Sequence, residues 1–122
     1  MGLSSVNVCG MAPTYYKSKV STAYGASLVL PAGPRILLML KGYNSNAAKQ
    51  FIQLHDVVDL AHATEGLAQM AMQIANLTDN FSFVIPVCGL PPTVNGLVIC
   101  NSSTGPTKTI GGADCWFEAY YL

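Results

Sequence analysis

Apolar residues along this chain fall in short runs and two-residue alternations set apart by breakers. Residues 36–40 form an uninterrupted apolar run, preceded by Pro31-Ala32-Gly33-Pro34 and followed by the turn-forming cluster Gly42-Tyr43-Asn44-Ser45-Asn46. That is the pattern of a buried strand. From Lys49 to Asp56 the pattern alternates, with Ile52 and Leu54 on one face and Gln53 and His55 on the other, which predicts a half-exposed strand. Residues 81–87 and 95–100 are rich in β-branched and aromatic side chains and are separated by Gly89-Leu90-Pro91-Pro92. Residues 115–122, with Trp116, Phe117, Tyr120 and Tyr121, predict a closing aromatic strand, and 15–24 and 26–30 are weaker strand patterns. The stretch 67–75 fits two periods. Leu67, Met70, Ala71 and Ile74 make a helical stripe, whereas Ala68, Met70, Met72 and Ile74 alternate with Gln69 and Gln73. Its short length and its strand neighbours favour the strand. Seven to eight short strands between Gly, Pro, Asn and Ser turns, without a strong helix, predict an all-β fold. An antiparallel β-sandwich or jelly roll in one domain over residues 1–122 is the expectation.

Composition adds a second constraint. The chain is 51% hydrophobic and only 10% charged, with no formal net charge, against about 25% charged residues in ordinary soluble domains. A global positive field for nucleic acid is absent, so no nucleic-acid partner is expected. Intrinsic disorder is excluded too, because it requires low hydrophobicity and high net charge. A neutral, apolar chain gains from partners, which points to oligomerisation or incorporation into a larger assembly. The charges are also unevenly placed. Lys17, Lys19, Arg35, Lys41 and Lys49 all precede the first acid, Asp56, and only Lys108 follows it. Either early and late strands interleave and the asymmetry cancels in space, or opposite patches meet across a subunit interface.

The most apolar run, 28–40, is interrupted by Pro31, Pro34 and Arg35 and falls short of the roughly 20 residues of a membrane span. No membrane association is expected. Residues 1–9 carry neither a charged region nor a long apolar stretch, so a secretory leader is not expected, and Asn76-Leu77-Thr78 and Asn101-Ser102-Ser103 are read as turn chemistry. Cys9, Cys88, Cys100 and Cys115 show no metal-binding spacing and are expected as buried free thiols. A hairpin over 102–113 would set Cys100 opposite Cys115, near enough to bridge in an oxidising setting.

Titratable groups concentrate at one place, His55, Asp56, Asp59, His62 and Glu65. The seven-residue histidine spacing fits no metal motif, so a solvated loop is expected there. Gly105-Pro106-Thr107-Lys108-Thr109 lacks phosphate-loop spacing, loses a donor at Pro106 and precedes no helix, which predicts a hydroxyl-rich hairpin connection. No G-x-S-x-G nucleophile pattern occurs. No catalytic, cofactor-binding or metal-binding residue is therefore assigned, and no enzymatic activity is expected. Tyr15, Tyr16 and Tyr24 near Lys17 and Lys19 suit packing or an interface better than stacking on sugars or bases.

The blocks Lys41-Gly42-Tyr43-Asn44-Ser45, Gln50-Phe51-Ile52-Gln53-Leu54-His55-Asp56, residues 95–104 and residues 108–117, in that order and spacing, resemble small virion proteins of tailed bacteriophages. The resemblance covers roughly residues 35–118 and implies a compact β-sandwich in the particle, attached to the capsid or to a fibre, spike or tail. It supplies no catalytic residues. Residues 1–34 and the stretch 67–75 fall outside it, and residues 1–34 are the expected attachment or interface region. The resulting expectation is a capsid decoration or cement protein located in the virion, a homotrimer in contact with the major capsid protein or other virion proteins. The alternatives are a tail, fibre or spike component, or a carbohydrate-binding sandwich stacking sugars on Tyr15, Tyr16 or Tyr120. Leu28, Val29, Leu30, Tyr120, Tyr121 and Leu122 are expected to be partly buried by other chains.

Overall fold

A computed structural model of the chain describes residues 5–6, 14–60, 71–84, 93–105, 109 and 111–122. The described residues contain no α-helix and form ten strands: β1 (Ser5–Val6), β2 (Thr14–Tyr15), β3 (Lys17–Val20), β4 (Ser27–Val29), β5 (Leu37–Asn44), β6 (Gln50–His55), β7 (Ala71–Ala75), β8 (Asp79–Val84), β9 (Val98–Ser102) and β10 (Cys115–Tyr121). Strands β1 and β2 pair only with each other. The other eight form two four-stranded antiparallel sheets, in the orders β3-β10-β5-β8 and β4-β9-β6-β7. The protein is an all-β antiparallel sandwich.

The pairing is nested. β6 pairs with β7, β5 with β8, β4 with β9 and β3 with β10, and β10 with β5 and β9 with β6 complete the sheets. Each of β3, β4, β5 and β6, from the first half of the chain, therefore lies beside at least one strand from the second half. The lysine-rich and acid-rich halves interleave strand by strand, and the Lys41–Glu118 ion pair across β5 and β10 is the direct result.

Alternation in β10 fixes the inside of the first sheet, with Cys115, Phe117, Ala119 and Tyr121 buried between half-exposed neighbours. Leu37, Leu40, Phe81 and Phe117 from this sheet meet Leu28, Ile52, Leu54 and Ile99 from the other. Each large apolar side chain so buried stabilises the fold by about 1.5–3 kcal/mol. A bulge lets Tyr121 pair with Leu37 while Tyr120 pairs with Met39, so both Leu37 and Leu40 face inward.

Three expectations need correction. Gly42, Tyr43 and Asn44 belong to β5 and not to a turn, because both neighbouring strands pair with them. At Gly42 the missing side chain is required: a Cβ would fall on the Trp116 carbonyl and within 2.6 Å of Phe81. The Phe81 and Phe117 rings, on the residues paired with Gly42, meet edge to face at 6.0 Å. Second, β6 is buried on both faces. Gln53 and His55 are 0% and 1% exposed, Gln53 donating to the carbonyls of Thr104 and Gly105 and sharing a 3.0 Å hydrogen bond with His55 Nε2. Third, Asn101 and Ser102 belong to β9 and not to a turn and are fully buried, whereas Asn76-Leu77-Thr78 does form the turn from β7 to β8. Cys100 and Cys115 are the buried free thiols expected, and the conditional hairpin pairing between them is not formed. They lie on β9 and β10, in different sheets, because the connection after β9 crosses from one sheet to the other.

Antiparallel order sends successive connections to alternate ends. At one end Ser45 donates from both its N–H and its hydroxyl to the Asp114 carbonyl, and Thr78 N–H reaches Asn46. At the other, Gly33 N–H reaches Asn95 and Thr93 N–H reaches Arg35.

Candidate functional site

The outer face of the first sheet carries the strongest concentration of recognition chemistry. Because Phe117 and Ala119 point inward, Trp116, Glu118 and Tyr120 point outward. Register sets Trp116 beside Tyr43, Glu118 beside Lys41 and Tyr120 beside Met39, with Asn80 and Ser82 of β8 next to Tyr43 and Lys41. The indole of Trp116 is held by its Nε1–H, which donates to the Ser21 carbonyl at 3.0 Å. Ser21 is itself fixed against β10, its N–H donating to the Phe117 carbonyl and its hydroxyl accepting from Phe117 N–H.

Two grooves flank the indole. One is lined by Ala23, Tyr24, Tyr43 and Trp116, and Tyr24 is 54% exposed. The other is lined by Trp116, Lys41, Glu118, Asn80, Ser82 and Phe81 among others. Within it the Lys41 ammonium lies 2.9 Å from Glu118 Oε2, and the Tyr120 hydroxyl donates to the same oxygen at 2.9 Å. The hydrogen bond from Lys41 holds the Glu118 carboxyl below its ordinary range, and the same bond raises Lys41. Both groups stay charged at neutral pH and cancel each other. Tyr16 stacks edge to face on Tyr120 at 6.0 Å.

The six expected interface residues do not form one surface. Leu28, Leu30 and Tyr121 are 6%, 1% and 5% exposed and belong to the chain's own core, which corrects their assignment to a neighbour. Strand alternation explains it, since these are the inward positions of β4 and β10 and of the residue after β4. Val29, Tyr120 and Leu122 are half-buried. Val29 lies on an edge strand of the second sheet, Tyr120 is stacked under Tyr16, and Leu122 is tied to Ile36 by two backbone hydrogen bonds.

Among the described residues, His55 and Asp56 are engaged with different partners. His55 is engaged with Gln53, whereas the Asp56 carboxylate accepts from the N–H groups of Val94, Asn95 and Gly96. Burial pushes the Asp56 carboxyl up, but the three backbone donors outweigh it and its pKa is lowered. His62 and Glu65 lie outside the described residues, as do Pro106, Thr107 and Lys108. Thr109 accepts from Ser103 N–H and donates its own N–H to the Ser102 hydroxyl. The Tyr15 side chain also lies outside the described part.

Sequence reasoning missed the joint face of Trp116, Tyr43, Lys41, Glu118 and Asn80. The outward phase of Trp116, Glu118 and Tyr120 was legible in the alternation of 115–121. The register that sets Tyr43 and Lys41 beside them was not. No protein-family model, curated protein or solved structure matches the chain.

Proposed function

We propose that this chain is a non-enzymatic bacteriophage virion structural protein, a capsid decoration or cement protein that bridges major capsid subunits as a homotrimer. The observation that carries this reading is the strand order. Four nested antiparallel pairs in two sheets, β3-β10-β5-β8 and β4-β9-β6-β7, support a jelly-roll reading, an architecture used by viral capsid and lectin domains. Function comes from that architecture by fold-level analogy. The sequence blocks that resemble phage virion proteins fall largely on β5, β6, β9 and β10, the central strands of both sheets, so the resemblance and the architecture concern the same part of the molecule. A non-catalytic role is supported by the work the polar groups already do: His55 satisfies Gln53, Asp56 caps a loop, Asp114 accepts from Asn46 and Gln50, and Glu118 pairs with Lys41.

Quantitative mass spectrometry of purified particles from a phage that encodes the chain tests the reading. Hundreds of copies per particle are expected. A dozen or fewer would place it in a tail, fibre or spike, and complete absence would remove it from the virion. Light scattering on the isolated protein is expected to give three times the 12.9 kDa chain mass, and a monomer at all concentrations overturns the trimer.

A further inference from the structure

We infer that the outer face of the β3-β10-β5-β8 sheet is a binding site for a neutral oligosaccharide, stacked on Trp116 and flanked by Tyr43 and Tyr24. This goes beyond the virion reading and does not depend on it.

A pyranose ring presents an apolar C–H face and a rim of hydroxyls, so a site for it needs a rigid aromatic surface beside fixed donors and acceptors. Trp116 supplies the surface. Its ring is immobilised by the hydrogen bond to Ser21 on a strand paired on both sides, so little conformational entropy remains to be lost on binding. Tyr43 and Tyr24 extend the apolar lining on one side. On the other, the groove past Trp116 presents the Asn80 amide, the Ser82 hydroxyl and the Lys41–Glu118 pair. The side chains of Lys41 and Glu118 are 48% and 15% exposed, so water or a sugar hydroxyl reaches them while their mutual contact keeps them in place.

Charge selects the class of ligand. Lys41 and Glu118 neutralise one another at 2.9 Å, and no other charged side chain lines the two grooves. A phosphodiester or polyanion finds no uncompensated cation here, and an apolar helix or strand would leave the amide, hydroxyl and ion pair unsatisfied. A neutral saccharide satisfies both halves of the site.

Trp116 is the sole tryptophan, so its fluorescence reports on this face alone. The full chain is titrated with maltotriose, cellotriose, mannotriose and triacetylchitotriose. At least one is expected to give a saturable change in tryptophan emission. Tyr24→Ala is exposed enough to leave the fold intact, verified by circular dichroism, and is expected to weaken binding at least tenfold. Glu118→Gln is expected to weaken it as well, and added salt to leave it unchanged. Silence with all four sugars overturns the proposal. So does binding that Tyr24→Ala and Glu118→Gln leave unaltered, or binding that falls steeply with salt, which would mark a polyanion site. Failure here leaves particle copy number unaffected, so the two readings are tested separately.

Discussion

Replacing Asp56 tests whether the histidine–acid cluster of the sequence is architecture. Asp56 Oδ1 accepts from Asn95 N–H at 2.8 Å and Gly96 N–H at 3.3 Å, and Oδ2 from Val94 N–H at 2.9 Å. These residues lead into buried Leu97 and β9, and Asn95 also accepts from Gly33, so one carboxylate fastens the end of the sandwich. Hydrogen bonds to a charged group are worth about 1.5–3 kcal/mol each when well shielded. Here three share one half-buried carboxylate, and solvent screening lowers the sum. Asp56→Ala is expected to cost about 2–3 kcal/mol and Asp56→Asn, which keeps one acceptor, about 1–2 kcal/mol. At about 3–5 °C per kcal/mol for a domain of this size, Asp56→Ala lowers Tm by roughly 6–15 °C. The pH dependence gives the sharper result. The folded-state pKa lies below the ordinary 3.8 because the backbone donors prevail over burial. The stabilisation is therefore complete above the unfolded value and is lost as pH falls through the folded one. Urea unfolding of wild type and Asp56→Asn should show the full gap near neutrality and a much smaller one in strong acid, well below the ordinary carboxylate range. An equal gap at both pH values, or none near neutrality, refutes the capping role.

Gly42→Ala would press a methyl group into the Trp116 carbonyl and Phe81. It is expected to cost at least about 3 kcal/mol in urea unfolding, because the clash is with a paired backbone that cannot yield; an unchanged midpoint would contradict the observed pairing. Thr78 adopts φ 41° in the turn between β7 and β8, a conformation costly for a β-branched residue. Thr78→Asn is expected to stabilise by about 0.5–1 kcal/mol, and a loss of stability would refute the strain. Burial raises the Cys115 thiol to about 11. With Cys9 and Cys88 replaced by serine, thiol labelling at about pH 8 should proceed only on unfolding; rapid labelling of the folded chain, or a Cys100–Cys115 disulfide in non-reducing mass spectrometry, counts against the two-sheet placement.

The strands were largely legible because period-two alternation and β-branched content are local signals. β10 follows its alternation residue by residue, and β7 shows that strand neighbours rightly decided the ambiguous 67–75 stretch over the part described. What misled were positions where tertiary contact overrides local preference. Gly42, Tyr43 and Asn44 read as a turn because glycine and asparagine break strands in isolation. Yet Gly42 is the residue that fits below the Phe81–Phe117 pair, and Asn44 is buried with its amide donating to carbonyls of Ala48 and Asn76. Gln53 and His55 read as solvent-facing because they are polar, but they satisfy each other and two loop carbonyls inside the protein. Three of the six expected interface residues differ for the same reason in reverse. Leu28, Leu30 and Tyr121 were correctly seen as needing burial, and their own core provides it.

That last point bears on the shortage of charge. Among the described residues, the second sheet also buries outward positions of its central strands, Val98, Cys100 and Ser102 on β9 together with Gln53 and His55 on β6. Solubility does not require charge when Ser, Thr, Asn and Gln outnumber charged residues by more than two to one. The interleaving of the two halves then spends some of the remaining charge internally, as in the Lys41–Glu118 pair. A surface poor in charge and rich in hydroxyls and amides repels few partners and steers few. Contacts made by such a surface depend on shape and on fixed aromatic groups, so both a lattice neighbour and a neutral sugar would be recognised through short-range complementarity, with little dependence of the association rate on salt.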